Sequence, residues 1–264
     1  KLKQIGRVID SIKFFNDNKL PDIIGLCEVE NISVIEKLLE EPAFKNQKFK
    51  IIHKDSPDRR GIDCALLINN KLEIIKKDFI KIFNEDSKKP TRDIVYTKLK
   101  YKEIIFNIFV NHWPSRWGGQ EETNYKRVFA AKVLKNYIDL NTSKNELTII
   151  MGDFNDYPNN ESLSIFTSEK FFNLMTTENI SGSGSYNYKG EWNWLDQIIL
   201  SNNFKSTNYE ILSAGSFQKD FMMYESKNIK LKSRVFPSRS FGGNFWYGGF
   251  SDHLPVYLRF KIVD

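Results

Sequence analysis

The chain has 264 residues, 41% of them hydrophobic and 27% charged, which is enough apolar material for a sizeable core and too much for a disordered chain. At roughly 150 residues per domain the length allows one large domain or two small ones; no apolar run approaches the ~20 residues of a membrane span, and two cysteines exclude a disulfide scaffold. Lys and Arg number 39 against 33 Asp and Glu, for a net charge of +6, a mild bias toward a polyanionic partner.

In chain order, Ile5, Val8, Ile9, Ile12 and Phe15 recur at helical spacing and predict a helix over 5–15. Residues 22–29 (DIIGLCEV) read as a buried strand, and Ser33 with Glu36 forms a capping box for a short helix carrying Val34, Ile35, Leu38 and Leu39. Strand signals then cluster at 49–54, 62–69, 72–83, 91–99 and 103–111, closely enough to predict hairpins and antiparallel pairing. A helix over 123–140 carries Val128, Ala131, Leu134 and Ile138 on one face. A buried strand at 147–151, a helix at 160–168, a flexible SGSGS loop at 181–185 and strands at 194–200 and 254–262 follow, with 213–250 read as long loops. Cys27 and Cys64 sit in apolar stretches and are expected as buried free thiols. Strands outnumber helices and are often adjacent, which predicts packed sheets covered by helices, a layered α/β sandwich.

Polar residues stand where the apolar strands end. Glu28 closes DIIGLCE, His112 closes IIFNIFVNH, and Asp153 and Asn155 close LTIIMGDFN; Asp196 opens LDQIIL, and Asp252 and His253 open DHLPVYLRF. In a sheet of mixed direction these ends can meet along one rim. Carboxylates and amide oxygens are hard ligands for magnesium, manganese or calcium, and magnesium needs only one or two carboxylates besides water and substrate phosphate; Glu28 and Asp252 fit that part. There is no cysteine pair or HExxH motif for zinc. Two histidines can serve as base and acid on opposite sides of a phosphorus centre, and Asp196 can orient one imidazole.

Each residue alone has a plainer account. Asp153 and Asn155 are ordinary turn formers beside Gly152, His112 a strand-end histidine, Asp252 a turn cap and Arg92 an edge-strand charge. Independent accidents do not align at strand ends in this way, so the set outweighs its members. The stretch 230–250 interleaves Lys230, Lys232, Arg234 and Arg239 with Phe241, Phe245, Trp246 and Tyr247. That mixture suits a nucleic-acid strand, and equally suits aromatics packing the loop onto the sandwich.

The motifs LCEVEN (26–31), NHWPSR (111–116), MGDFND (151–156), LDQI (195–198) and SDHLPV (251–256) together resemble the endonuclease/exonuclease/phosphatase superfamily, in its deoxyribonuclease and sphingomyelinase branches. RRGIDCALL (59–67), TRDIVY (91–96) and SRWGGQEETNYKR (115–127) look like a bacterial branch. The resemblance implies a four-layer sandwich of two stacked mixed sheets flanked by helices, a divalent metal, usually magnesium, and in-line attack of water on a phosphoester. It implies metal binding by Glu28 and Asp252 and catalytic parts for His112, Asp153, Asn155, Asp196 and His253, with Asp196 pairing His253. It further implies phosphate contacts from Asn155, His112 and, more weakly, Arg92. Members of the superfamily usually begin with a strand carrying an asparagine near the metal. This sequence opens on a helix instead, which leaves a sheet edge open.

The expectation is a single catalytic domain over 1–264, monomeric and not membrane-integral, that hydrolyses phosphodiesters of nucleic acid, DNA foremost. A phosphoesterase for a sphingomyelin-like lipid or an inositol phosphate shares the motifs, though no long hydrophobic hairpin is visible in the sequence; a binding module without catalysis is the third reading. The chain begins at Lys1 with no visible signal peptide, and bacterial cytoplasm and export stay equally open.

Overall fold

Near-continuous apolar runs, buried on both faces, lay out the centre of the molecule. A computed structural model describes residues 1–13, 19–83, 90–167, 170–177 and 182–263. The helices are α1 (Leu2–Ser11), α2 (Ile32–Leu39), α3 (Gln120–Asn141) and α4 (Glu161–Ser164). The long strands are β1 (Ile23–Val29), β2 (Phe49–His53), β3 (Asp63–Asn69), β4 (Glu73–Ile80), β5 (Ile94–Tyr101), β6 (Ile104–His112) and β7 (Leu147–Asp153). After them come β8 (Phe171–Asn173), β9 (Tyr186–Tyr188), β10 (Glu191–Asn193), β11 (Asp196–Ser201), β12 (Tyr209–Ser216), β13 (Met223–Glu225), β14 (Val235–Pro237), β15 (Phe241–Gly242), β16 (Phe245–Trp246) and β17 (Val256–Ile262).

Six strands form one sheet in the order β4-β5-β6-β7-β11-β8. It is mixed: β6 and β7 run parallel, while the other neighbours are antiparallel. The opposing strands lie in two antiparallel pieces, β1-β3-β2 and β12-β17. Both pieces pack on the same face of the six-stranded sheet, where Leu66 and Ile68 of β3 meet Val95, Ile108, Val110 and Leu200, with Ala214 and Leu258 beside them. The period of two then sends Ala65 and Leu67 of β3 the other way, against Ile9 of α1 and Ile35 and Leu38 of α2. On the far side Tyr96, Phe109, Ile150 and Ile199 pack under Ala131, Leu134 and Ile138 of α3 and Leu163 of α4. The result is helix, sheet, sheet, helix, as expected. Each Leu or Ile fully buried in these layers contributes roughly 1.5–3 kcal/mol.

Among the described residues β1 pairs only with β3 and β17 only with β12. A cavity of about 1240 Å³ runs between these two strands, floored by Val110, Ile149 and Met151. Among the described residues no strand bridges β1 to β17.

Several boundaries differ from the sequence reading. The cap of α2 is Asn31, whose Oδ1 accepts the Val34 amide at 3.1 Å, and Ser33 donates to the same oxygen. Asn31, two residues before Ser33, stands at the N-cap, where its side-chain oxygen takes the free amide of the first turn. The helix expected over 160–168 is a single turn at Glu161–Ser164; Ser168 lies outside the described residues, as do Phe15 and Ser181. The 213–250 stretch is not all loop. It opens inside β12, whose partner β17 is some forty residues away, and pairs again in the short β13–β14 and β15–β16 hairpins. Cys64 is buried and Cys27 partly so, and both are free thiols.

Candidate active site

Sheet register assembles the rim. The parallel pairing of β6 with β7 sets His112 opposite Asp153, and the antiparallel pairing of β7 with β11 sets Asp153 opposite Asp196. Three chemistry-bearing residues thus stand abreast on adjacent strands, about 4.8 Å apart along the hydrogen-bonding direction. Gly152 makes the close approach possible. Its φ is +132°, and a Cβ there would lie 2.0 Å from the carbonyl oxygen of Asn111, so β7 could not close on β6 with a larger residue.

His253 reaches this row from the segment before β17, not from the start of the strand itself, which begins at Val256. Its backbone bridges to Tyr186, the Leu254 amide donates to the Ser185 carbonyl at 2.7 Å, and the Tyr186 ring packs on the imidazole with centroids 4.7 Å apart. Ser185, expected in a flexible loop, is buried; its Oγ accepts the amides of Leu195 and Asp196, clipping the His253 segment to the start of β11. His253 Nδ1 then donates to Asp196 Oδ2 at 2.6 Å. One ligand atom from each of Asp153, Asp196 and His253 lies within 4.8 Å of the others.

The surroundings give these groups different charges. Burial disfavours the imidazolium of His253, but the neighbouring Asp196, with Asp153 and Asp252, outweighs it and pushes the pKa up to about 10. Burial pushes the Asp153 carboxyl up to about 7, the His253 charge opposing and Asp196 adding to the rise. Burial holds His112 well below its ordinary 6.5, helped by the charges of Arg92, Arg60 and His253. Near neutrality His253 is therefore cationic, His112 neutral, and Asp153 poised to exchange a proton. His112 Nε2 lies 3.6 Å from Asp153 Oδ2, and its Nδ1 is buried without a hydrogen-bond partner.

Asn155 grips Asp153. Its amide donates to Asp153 Oδ1 at 2.8 Å, and its Nδ2 donates to Asp153 Oδ2 at 3.3 Å and to the Trp113 carbonyl at 2.9 Å. Its φ is +51° and that of Glu28 +59°, two of the four non-glycine residues with positive φ among those described; such conformations concentrate where function overrides local preference. Beneath it Arg116 Nε donates to the Asn155 carbonyl at 2.7 Å. Asp156, wholly buried, meets Arg127 at 2.8 Å and Ser162 Oγ at 2.6 Å. Sequence reasoning gave Ser185, Arg116 and Arg127 no part; Arg116 fell within the 111–116 and 115–127 motifs and Arg127 within the latter alone.

Glu28 and Asp252 are exposed and line the same cleft as His112, Asp153, Asn155, Asp196 and His253. A register shift in β1 between Leu26 and Val29 frees Glu28 from the ladder. Acidic groups able to hold a metal occur at Asp153, Asp196 and His253 and at His53, Asp55 and Asp63; Glu28 and Asp252 belong to neither group. Arg92 is buried and turned to protein partners: Nε to the His112 carbonyl at 3.2 Å, Nη2 to the Trp113 carbonyl at 2.7 Å and Nη1 to Asp58 at 3.1 Å. It braces the end of β6. The aromatics Phe241, Phe245, Trp246 and Tyr247 are exposed and do not pack the loop down; Phe236 and Phe250 do that. Lys232 and Arg234 pair with Glu191 and Glu225.

The sequence profile of the Endonuclease/Exonuclease/phosphatase family matches residues 1–262, and the chain belongs to that family, one of phosphoester hydrolases. Among solved structures, an endonuclease/exonuclease/phosphatase family protein from Bacteroides thetaiotaomicron is similar over 100% of this chain and 86% of its own, with 18% identity and a TM-score of 0.65. A mannosyl-6-phosphatase of the same organism is similar over 99% of this chain and 90% of its own, with 17% identity and a TM-score of 0.63. TDP2 of D. rerio, complexed with a single-strand DNA product, is similar over 91% and 86%, with 12% identity and a TM-score of 0.60. A comparison with curated protein sequences found no match. Among the described residues no helix is long and apolar enough to cross a membrane.

Proposed function

We propose that this chain is a divalent-metal-dependent phosphodiesterase acting on nucleic acid, DNA foremost, with its catalytic domain spanning residues 1–264. The observation that carries the reading is the row His112, Asp153, Asp196 with His253 clipped to it, because four groups of three different charge states around one rim are a proton-handling device. Glu28 and Asp252 would hold the metal, with magnesium first and manganese or calcium as alternatives. They fit such an ion as hard oxygen donors, exposed and facing one cleft. A bound ion would stabilise charge on the phosphoryl oxygens.

The chain's own residues divide the remaining work by their charge. Asp153, poised near neutrality and gripped by Asn155, takes the proton of the attacking water. His253, cationic and held by Asp196, donates to the oxygen on which charge develops. His112, neutral, offers its Nε2–H from the other flank of Asp153. The residues read from sequence suggested His253 as base and His112 as acid, with Asp153 the rival base; the charge of His253 in this setting favours Asp153. Asn155 serves by orienting Asp153, since both its side-chain N–H contacts and its backbone amide are spent there and on Trp113.

A second reading, hydrolysis of a small or lipid phosphoester, is favoured by the exposed aromatic hairpin around Phe245 and Trp246, which closes a few residues before Asp252. A panel of plasmid DNA, single-stranded DNA, RNA, sphingomyelin, inositol phosphates and mannose 6-phosphate, each with magnesium and with chelator, tests both. Magnesium-dependent cleavage of DNA is expected; turnover of sphingomyelin or a sugar phosphate with DNA untouched moves the assignment to the second reading.

A further inference from the structure

Three stretches that the catalytic row leaves unused meet beside His112. Arg60 from the turn before β3, Arg92 from the approach to β5, and Ser115, Trp117 and Lys126 from the β6–α3 region line one pocket of about 440 Å³. Arg60 and Ser115 also line the cleft that holds His112 and Asp153, so the two spaces are neighbours that share those side chains. The pocket also adjoins the end of β6 through Arg92, whose Nε and Nη2 hold the carbonyls of His112 and Trp113.

Its chemistry is one-sided. Three cations line it against a single carboxylate, Asp58, which meets Arg92 Nη1 at 3.1 Å and Arg60 Nε at 3.5 Å. Arg92 and Asp58 are buried partners, so the accessible positive charge rests with Arg60 and Lys126. Trp117 stands at the mouth 90% exposed, whereas Trp113, four residues earlier, is fully buried. An indole left in water does nothing for the core, and beside two cations it makes a stacking surface for a flat ring that carries negative charge.

We propose that this pocket is a substrate subsite on the His112 side of the scissile phosphate, and that it takes a ring-bearing group with a second phosphate attached. Trp117 stacks on the ring, while Arg60 and Lys126 pair with the second phosphate. The proposal rests on the phosphoesterase reading of the cleft and adds to it a demand on the substrate: the bond cut must have a further phosphate near it.

Two substrates separate the parts of this claim: the dinucleoside monophosphate TpT, which has rings and no second phosphate, and hexathymidylate, which has both. Arg60→Gln and Lys126→Gln are expected to raise KM for hexathymidylate roughly tenfold with kcat held, and to leave TpT within about twofold. Trp117→Ala should raise KM for both substrates, and Trp117→Phe, which keeps a ring, should restore most of the loss. Equal losses on both substrates in the two cation variants, or no loss on either, overturn the proposal. Binding without turnover gives an independent readout. Hexathymidylate titrated in chelator should quench the fluorescence that Trp117→Phe removes, and Arg60→Gln should weaken the quench and flatten its salt dependence. Quenching by hexathymidylate together with failure to cleave it in magnesium would leave the subsite standing and remove the phosphoesterase reading; cleavage indifferent to all three positions would do the reverse.

Discussion

The two walls of the cleft are built on opposite terms. On one, His112, Asp153 and Asp196 sit in register on three neighbouring strands of a continuous sheet, and His253 is clipped to them through Ser185 and Tyr186. On the other, Glu28 and Asp252 are exposed, one on a bulged strand with φ of +59° and one in a loop, where the opposing strands lie in separate pieces. Proton transfer depends on fixed distances and tuned charge, and both come from burial inside a hydrogen-bonded ladder. A hydrated cation tolerates looser ligands, because it keeps its waters and organises what surrounds it. With the metal held as proposed by Glu28 and Asp252, the comparison teaches that chemistry and metal capture would be separable, and the predictions below try to break that separation.

The largest effect should come from the buried wall. His253→Ala and Asp153→Asn are expected to lower kcat on the order of 10²–10⁴-fold while magnesium affinity, read by calorimetry, stays near wild type. A fall in affinity that matches the fall in rate would show that the walls act as one. An ester with a very good leaving group divides the roles further: His253→Ala should recover on it if His253 protonates the leaving oxygen, and Asp153→Asn should not.

Next comes the support under that wall. Arg127→Met takes from buried Asp156 the nearer of its two cations, leaving Arg116 Nη2 at 3.3 Å, and losing one partner of a buried pair costs about 3–5 kcal/mol. Urea unfolding should show a loss of that order, whereas Glu28→Gln on the exposed wall should be neutral in the same assay. A loss below about 1 kcal/mol in Arg127→Met would mean that the network beneath Asn155 is not a structural anchor.

Glu28→Gln itself should weaken magnesium by at least the roughly 10–100-fold that loss of even an outer-shell partner brings. Unchanged affinity would move the metal to Asp153, Asp196 and His253 or to the group at His53, Asp55 and Asp63, and would end the separation.

The smallest effect is a slope. His253 has a folded pKa of about 10 against an ordinary 6.5, so its contribution to stability is complete below about pH 6.5 and is lost as pH rises toward 10. His112 has the opposite sign: its folded pKa lies well below 6.5, and stability falls as pH drops below 6.5 because the unfolded chain takes the proton first. In chelator, His253→Asn should therefore lose wild-type stability most at about pH 6.5 and just below, and converge on wild type as pH rises to about 10. A constant difference across that range would deny the charged Asp196–His253 pair.

Much of this was legible in the residues. Near-continuous apolar runs marked β3 and β6, the helical stripe of Val128, Ala131, Leu134 and Ile138 marked α3, and the polar ends of apolar runs named the residues of the rim. Local patterns carry such information because a strand or helix declares which face it buries within a few residues. Where partners were distant, the pattern failed. Tyr209–Ser216 reads as the edge of a loop region until β17 is beside it, and Ser185 reads as linker until it accepts the amides of Leu195 and Asp196.

The sequence by itself determined the layered class, the motifs of the family and the carboxylates and histidines of the cleft, because each is written in residue type and short-range spacing. Only the tertiary structure decided their states. It set His253 charged and His112 neutral, spent Asn155 on Asp153, turned Arg92 inward to brace β6, and gathered Arg60, Trp117 and Lys126 around one pocket. The physical reason is that a pKa, a hydrogen-bond assignment and a cavity are sums over neighbours in space. Apart from Asn155 and Asp153, two residues apart, those neighbours come mostly from stretches dozens of residues or more apart, beyond any short window along the chain.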